Sequence, residues 1–505
     1  MKKPNCIILI SFIFVFLITA VVNLKGTQDA HMLSLLSADE SIQYPYLTHM
    51  LSGGSSIFET VKNFVAYQHY FYGYPFYLYS AATILPVRIL AGANFTEQVQ
   101  VNLFLLRQLV SVLPMLLAIY ILVYLQTGFQ DSLKSSVLFL ILITIPAVTR
   151  NDVWFWHPDA LALLGIAGAF YFLNKDHFEF GKSFLYAAAA CGLAAGTKVI
   201  GAFFFLAVLI YLGIAKKQRS LPWQFIFKKA LVFLLVFLLI FLITNPLLLI
   251  PQTRTQILKI QAQQNYFVRE GWTDEDVYQT GLFAWLPYFN EWYGNIFILV
   301  FLILSLICGI LRGEHRLMNA LLLAWLIPYS IYLIFYVAVK PFHYPLPMMI
   351  PLYSAALNFF SKDSKTGKYF TTLPIRIAVT GLLAFLLVSN GISSWNVYRE
   401  YYEKEDLLLA CNSEPENQTD GSIVDIPGSD QWYRLEKYGA GDPSIYSFSV
   451  TQGPLQVSAT QDGGNQVWAC QSEESAYFSA TRLAEAFKKS HPDYTVYGPY
   501  GEEVN

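Results

Sequence analysis

The sequence predicts an all-α polytopic membrane protein with a small soluble module at its C-terminal end. Of the 505 residues, 55% are hydrophobic and only 13% are charged, whereas soluble domains carry about a quarter charged residues. Apolar runs of about 20 residues, the length that crosses a bilayer as a helix, recur along the chain. After residue 395 the composition shifts abruptly to Glu, Asp, Gly, Ser and Gln.

The first apolar run, 7–24, follows Met1-Lys2-Lys3. It is longer than the roughly 7 to 15 residues of a signal-peptide core, and no clean small-residue cleavage site precedes Lys25. We therefore expect a retained first span whose lysines keep the N-terminus in the cytoplasm.

The remaining apolar runs bring the prediction to about eleven transmembrane helices. They are 101–125, 134–149, 157–173, 183–196, 198–214, 229–250, 294–311, 317–339, 344–360 and 373–394. The run 74–92 contains two prolines and an arginine beside several tyrosines, which suits a helix that lies in the interface as well as it suits a span. With eleven spans, the basic clusters at 216–229, 312–316 and 362–368 all fall on the cytoplasmic side.

This topology places a large first loop, 25–100, on the extracytoplasmic side together with its interfacial helices. Residues 1–395 then form a transmembrane domain, and residues 396–505 form an extracytoplasmic α/β or mainly β domain, because stretches such as 444–451 alternate in polarity. Cys411 and Cys470 are the only cysteines in that module. In an oxidising compartment they could form a disulfide, although two free thiols are the alternative.

Several function classes are excluded by composition or motif. The formal net charge is −2 and the chain has no basic tract, so nucleic acid is not an expected partner. The chain has no metal-ligand spacing, no P-loop and no dinucleotide-binding glycine pattern, which argues against nucleotide hydrolysis.

An acidic pair, Asp39-Glu40, lies in the first extracytoplasmic loop. A carboxylate there could act as a general base towards an attacking hydroxyl. The competing interpretation is that it caps the helix that follows, because acidic residues favour helix starts. A second acidic residue, Asp159, opens a predicted helix just after His157-Pro158, where capping and function compete in the same way.

A lysine, Lys198, interrupts an apolar stretch at the end of a glycine-rich segment. An ionisable residue at bilayer depth costs about 2.5 to 3.5 kcal/mol and is by default a candidate functional residue, for which a phosphate group would be a suitable partner. The alternative is that Lys198 snorkels to lipid headgroups. Arg269 and His343 belong to basic outer segments that could hold a phosphate or anchor the interface.

Six segments occur in the same order as in the GT-C glycosyltransferases. The branch that they resemble contains the protein O-mannosyltransferases of glycosyltransferase family 39 and the lipid A aminoarabinose transferases. The segments are Asp39-Glu40, Tyr72-Gly-Tyr-Pro75-Phe-Tyr-Leu-Tyr, Arg107, His157-Pro158-Asp159-Ala-Leu, Gly192-Leu-Ala-Ala-Gly196-Thr197-Lys198 and His343-Tyr344-Pro-Leu-Pro. The resemblance covers residues 1–395, and it departs from the family at Tyr74-Pro75, where two prolines are frequent.

The resemblance implies a GT-C fold and an inverting transfer of a sugar from a polyprenyl-phosphate donor to an acceptor that is a protein, a lipid or a glycan. It implies that Asp39 is the base and Glu40 its neighbour in catalysis. It also implies that Lys198, Arg269 and His343 bind the donor phosphate, while Asp159, His157 and Arg107 organise the site or the acceptor. Relatives differ in metal dependence, so a divalent metal stays open.

The main alternative is a transporter or flippase of lipid-linked sugars. It would place its substrate near the bilayer midplane, often between inverted repeats, and no repeat is visible here. The expected location is the bacterial plasma membrane, with the site and the C-terminal module on the extracytoplasmic face and membrane lipid as a partner.

Overall fold

The computed structural model describes residues 3–25, 38–271, 278–360 and 372–412, together with five strands between 431 and 497. Most of the described chain is α-helical. The α-helices are Lys3–Lys25, Ala38–Met50, Ile57–Val65, Tyr74–Ala91, Val99–Leu106, Leu113–Thr127, Ser132–Ile143, Pro146–Trp154, Asp159–Asp176, Lys182–Thr197, Phe205–Arg219, Trp223–Ile243, Pro251–Glu270, Leu282–Trp292, Ile296–Leu311, Arg316–Tyr336, Leu346–Ser354 and Leu373–Asn412. Short 3₁₀ or π segments are Gly92–Glu97, Arg107–Val112, Val199–Phe204, Pro246–Leu249 and Asn358–Phe360.

The chain divides into two compact units. The first contains Met1–Asn23, Ile42–Gln98 and Phe104–Tyr398. The second contains Leu24–Ser41, Val99–Leu103 and Arg399–Asn505. The domain boundary expected at residue 395 stays a prediction.

The chain is an integral membrane protein by the length and composition of its helices. Within the described ranges, seven helices are long and apolar enough to cross a bilayer, and nine spans result if each of two bent pairs is counted as one. The seven are Cys6–Leu24, Tyr74–Thr96, Val99–Thr127, Val199–Arg219, Trp223–Ile243, Arg316–Tyr336 and Leu373–Arg399. The bent pairs are Ser132–Ile143 with Pro146–Val153, at 66°, and Leu282–Trp292 with Ile296–Leu311, at 92°.

Three helices that correspond to predicted spans are not counted here, because they are short or carry charged residues. The helix Asp159–Asp176 has charged residues at both ends. The helix Lys182–Thr197 has 16 residues, which reach about 24 Å against a hydrocarbon core of about 30 Å. The apolar helix Leu346–Phe360 is also short. Conversely, the run 74–92, predicted to be interfacial, lies within Tyr74–Thr96, which is long and apolar enough to cross a bilayer.

The core of the first unit is built around the helix Asp159–Asp176. It packs against Lys182–Thr197 and Leu113–Thr127, and Lys182–Thr197 packs in turn against Trp223–Ile243. Small residues permit the close approach of the first pair, since a Cβ added at Gly165 would lie 2.9 Å from the Cβ of Ala194. Small residues at helix contacts are typical of membrane proteins, where close van der Waals packing holds helices together.

The second unit contains an antiparallel sheet. Its strands are β1 Gln431–Lys437, β2 Tyr446–Thr451, β3 Gln456–Gln461, β4 Gly464–Ala469 and β5 Tyr494–Tyr497. They are arranged in the order β4-β3-β2-β1-β5, and the register of β1 against β2 shifts between Gln431 and Tyr433. The predicted alternating stretch 444–451 overlaps β2. Cys470 lies outside the described residues, so its pairing with Cys411 stays a prediction.

Candidate functional site

A cavity of 560 Å³ lies within the first unit. Ligand pockets for small molecules usually measure about 300 to 1,000 Å³ and are mostly apolar with a few placed polar groups. Seven tyrosines contribute to the wall: Tyr67, Tyr70, Tyr72, Tyr74, Tyr329, Tyr332 and Tyr344. Among the described residues that line the cavity, Lys198 is the one charged side chain. The cavity can therefore take a ligand that is largely apolar but carries one anionic group.

Two segments distant in sequence meet at the wall of this cavity. The backbone N–H of Gly73 donates to the carbonyl of Thr197 at 3.0 Å. A Cβ added at Gly73 would lie only 1.6 Å from the carbonyl oxygen of Gly196, so this approach requires glycine. The contact places Tyr72, just before Gly73, beside the segment that ends at Lys198.

The side chain of Asn245 holds the same junction from a third segment. Its Oδ1 accepts from the backbone N–H of Tyr74 at 3.0 Å, and its Nδ2 donates to the carbonyl of Gly196 at 3.1 Å. A Cβ added at Gly196 would lie 2.8 Å from that Nδ2. The glycine-rich segment identified in the sequence is therefore a packing motif that carries Lys198 to the cavity wall.

Four ionisable or polar side chains form a continuous network beside the cavity. The Lys198 ammonium donates to Asp159 Oδ1 at 2.7 Å, and Asp159 Oδ2 pairs with His157 Nδ1. His157 Nε2 in turn lies 2.7 Å from the hydroxyl of Tyr72. Asp159 and His157 are fully buried, whereas Lys198 and Tyr72 reach the cavity. The network connects two cavity-lining groups through a buried carboxylate and imidazole.

Aromatic rings enclose this network. The His157 ring stacks on Phe155 with centroids 4.4 Å apart and lies 4.5 Å from the ring of His343. The Lys198 ammonium lies 4.9 Å from the centroid of the Tyr344 ring, within cation–π range. Burial, before any neighbouring charge, lowers the pKa of His343 well below its usual range. His343 is therefore neutral at physiological pH.

One group among the described residues has the composition of a metal site. His157, Asp159 and His343 offer ligand atoms that lie within 4.8 Å of one another. Both nitrogens of His157 and both oxygens of Asp159 already have partners, and His343 Nδ1 is buried without a hydrogen-bond partner within the described chain. A divalent ion takes about four or more ligands. The trio alone supplies fewer ligands than such an ion takes, and Lys198 already places a positive charge on the same carboxylate, so a divalent metal stays a prediction.

The two predicted arginines occupy different environments. Arg107 is fully buried in the π-helical segment Arg107–Val112. Arg269 lies in the last turn of Pro251–Glu270, the helix whose residues Ile257, Gln261 and Val268 line the cavity. Its side chain is 62% exposed and pairs with Glu270 at 3.2 Å. His343, predicted with Arg269 as a phosphate ligand, does not line the cavity, whereas the next residue, Tyr344, does.

The acidic pair belongs to the second unit. Asp39 and Glu40 occupy the first turn of the helix Ala38–Met50, where a carboxylate interacts favourably with the helix dipole. Glu40 is fully buried and Asp39 is partly exposed. The helix begins earlier than the sequence suggested, so the pair lies inside it.

Sequence reasoning brought together His157, Asp159, Lys198 and His343 as members of one site, and it treated Tyr72 and Tyr344 only as parts of longer motifs. The chain has 33 tyrosines, so a single tyrosine carries no signal of its own. Asn245 was missed, although an asparagine directly before a proline at the end of an apolar run is a polar residue that needs a partner.

Comparisons with known proteins find similarity to solved structures. No family model and no curated protein matches the chain. The fold is similar to that in the crystal structure of ArnT from Cupriavidus metallidurans bound to undecaprenyl phosphate, with 12% identity and a TM-score of 0.47. The similarity covers 78% of this chain and 76% of the other. At this level it carries no weight for the activity of this chain.

Proposed function

We propose that this chain is a GT-C-type membrane glycosyltransferase that moves a sugar from a polyprenyl-phosphate donor to an acceptor on the extracytoplasmic face. The observation that carries the proposal is the Lys198 ammonium at the wall of a tyrosine-lined cavity, paired with the buried Asp159 at 2.7 Å. A lipid-linked sugar phosphate matches this cavity, because it combines an apolar chain, a single anionic group and a polyhydroxylated ring.

Lys198 can bind a phosphate while it stays paired with Asp159. An ammonium group has three N–H donors, and Asp159 uses one of them. The two that remain are available to an anion in the cavity, and in these apolar surroundings each would be worth more than in water. Asp159 compensates the ammonium in the absence of a ligand and fixes its direction.

The proposed reaction is a displacement with inversion. The acceptor oxygen forms a bond to the anomeric carbon while the bond from that carbon to the phosphate oxygen breaks. The acceptor proton passes to Asp39, and the lipid phosphate leaves with the bonding electrons towards Lys198. Asp39 as base, Glu40 as its neighbour and Arg107, Arg269 and His343 as auxiliary groups are proposals that rest on the resemblance in sequence.

The experiment is donor consumption by the purified protein in detergent, with radiolabelled polyprenyl-phosphate sugars and a panel of acceptors. Wild type should release the sugar, and Asp39→Asn should be slower by at least about 100-fold, the usual contribution of a general base. Asp131→Asn is a matched control, because Asp131 caps the helix Ser132–Ile143 away from the cavity.

Either of two results would count against the proposal. Near-normal turnover by Asp39→Asn would remove Asp39 as the base. Movement of intact donor between leaflets of a vesicle, with no sugar released from any donor, would favour the flippase instead.

A further inference from the structure

Two helical hairpins turn at the end of the first unit that lies away from the cavity. The helix Lys182–Thr197 reaches the cavity wall at Lys198, and it begins about 24 Å away, since it has 16 residues. The segment 176–181, just before that helix, contacts the turn of the next hairpin, because Arg219 Nη2 donates to the carbonyl of His177 at 3.0 Å. The two turns therefore lie at the same end of the helix bundle.

The two turns carry a large excess of positive charge. The segments 175–182 and 216–229 contain seven lysines and arginines, here called the basic surface, but only two carboxylates, Asp176 and Glu179. Asp176 is buried and accepts from neutral donors. Within the described residues, none of the seven cations is in an ion pair. The charge of the basic surface is therefore available to an anionic partner.

Exposed aromatic side chains lie next to these cations. Trp223 and Phe227 are one turn apart at the start of the helix Trp223–Ile243, so they share a face, and they are 70% and 73% exposed. The Lys216 ammonium lies 4.5 Å from the centroid of the Trp223 ring. A tryptophan at the start of a transmembrane helix is typical of the level of the lipid headgroups. The basic surface therefore lies where headgroups can reach it.

We infer that the basic surface binds the headgroups of anionic phospholipids at the membrane face opposite the cavity. A headgroup with a net negative charge complements cations that have no ion-pair partner in the protein. Each lysine or arginine near such a surface strengthens the attraction about fivefold, whereas a zwitterionic headgroup has no net charge to attract it. The inference is independent of the proposed function, since none of the seven cations lines the cavity.

The first test measures lipid binding to the purified full-length protein. Cardiolipin, phosphatidylglycerol and phosphatidylcholine are titrated separately in detergent, and bound lipid is counted by native mass spectrometry. The two anionic lipids should bind with a Kd at least about 10-fold lower than that of phosphatidylcholine, because only they carry net charge. Equal affinities for the three lipids would overturn the inference. Displacement of cardiolipin by an equal concentration of inorganic phosphate would also overturn it, because the surface would then bind free anions.

The second test locates the bound lipid. Lys182→Gln, Lys217→Gln and Lys228→Gln are combined, because these lysines are exposed, belong to three different helices and make no hydrogen bond or ring contact within the described residues. At about fivefold for each charge, the triple variant should bind cardiolipin about 100-fold more weakly and phosphatidylcholine as wild type does. The same three positions changed to arginine keep the charge and should restore the affinity.

A matched control removes three exposed cations from helices near the cavity. Lys62→Gln, Arg254→Gln and Lys259→Gln belong to Ile57–Val65 and Pro251–Glu270, and together they should leave the affinity for cardiolipin within about twofold of wild type. A loss of affinity in this control but not in the first triple variant would place the anionic lipid on the cavity side and overturn the inference. Unchanged affinity in both variants would overturn it as well.

Discussion

The two ends of the helix Asp159–Asp176 each carry a buried aspartate, but the partners differ in kind. Asp176 accepts from the backbone N–H groups of Phe180 and Gly181, both at 3.0 Å, and from the hydroxyl of Tyr211 at 2.6 Å. All of these donors are neutral. Asp159 instead pairs with Lys198 and His157, and that network ends at the cavity.

The difference distinguishes an aspartate that stabilises a local turn from one whose network reaches the cavity. The carboxylate of Asp176 holds a tight turn in which His177, Phe178 and Phe180 have positive φ angles of 48°, 64° and 54°. Its hydrogen bonds are local and stabilise that turn. Asp159 orients a cation that a ligand can reach. We expect changes at the two ends to affect stability alike but activity very differently.

The largest expected effect is at Lys198. Lys198→Met removes the cation that we propose binds the donor phosphate, and it should lower kcat/KM by about 100- to 1,000-fold. It also leaves Asp159 buried without its ion-pair partner, which costs about 3 to 5 kcal/mol of unfolding free energy. Adding Asp159→Asn should restore much of the thermal stability but none of the transfer. Recovery of transfer in the double variant would exclude Lys198 as the phosphate ligand.

The next effect compares the two aspartates directly. Asp159→Asn should lower kcat/KM by about 100-fold, because Lys198 loses the charge that orients it. Asp176→Asn places an amide donor against backbone N–H donors and should cost about 1 to 3 kcal/mol of stability. Its kcat/KM at a permissive temperature should stay within about twofold of wild type. Equal losses of kcat/KM in the two variants would show that both act through the fold.

A smaller effect is expected from alanine substitutions at two glycines. Gly73 contacts the segment that leads to Lys198, and Gly181 donates its N–H to Asp176. Gly73→Ala forces a Cβ against the carbonyl oxygen of Gly196, whereas a Cβ at Gly181 has no neighbour within 4 Å. Gly73→Ala should therefore lower transfer by about 10-fold or more, since misplacement of a catalytic group by about 1 Å is enough for that. Gly181→Ala should be close to wild type in donor turnover and in melting temperature.

The smallest effect concerns pH. Burial, with a further contribution from the charge of His157, lowers the pKa of His69 to about 4. The unfolded chain has a histidine pKa of about 6.5, so it binds more protons than the folded chain between these values. Stability from neutral His69 is thus complete above about pH 6.5 and decreases as the pH falls towards about 4.

The measurement is the melting temperature in detergent across this pH range. His69→Gln should flatten part of the slope, and His177→Gln, at an exposed ring beside Asp176, is the control. An unchanged slope in His69→Gln would assign the dependence to other groups.

The sequence predicted the helical membrane fold and much of the cluster for a common reason. Charged residues are rare in an apolar chain, so His157, Asp159 and Lys198 were conspicuous, and each does lie beside the others. Which of these residues pair with one another could not be predicted from the sequence. Lys198 and Asp159 are 39 residues apart in sequence, and no spacing rule connects them.

Other features depended on packing that no local pattern encodes. Tyr72 belongs to the site because the Gly73 backbone contacts Gly196 and Thr197, and Asn245 from a third segment holds that contact. The described residues contain seven to nine helices long and apolar enough to cross a bilayer, fewer than the eleven predicted, because short helices such as Lys182–Thr197 have the same apolar composition as longer ones. For Asp39 and Glu40 the sequence did not distinguish a helix cap from a general base, since a carboxylate at a helix start suits both roles.

The hydrogen bond between Gly73 and Thr197 also sets the order in which parts of this cavity can assemble during protein synthesis. About 120 residues separate the two partners. At a synthesis rate of roughly 5 to 20 residues per second, Thr197 is added to the chain about 6 to 25 s after Gly73. During that interval the Gly73 amide must remain without its final partner. The cavity wall is thus assembled in stages, and a nascent chain arrested before residue 197 would carry the lining tyrosines up to Tyr74 without the cation.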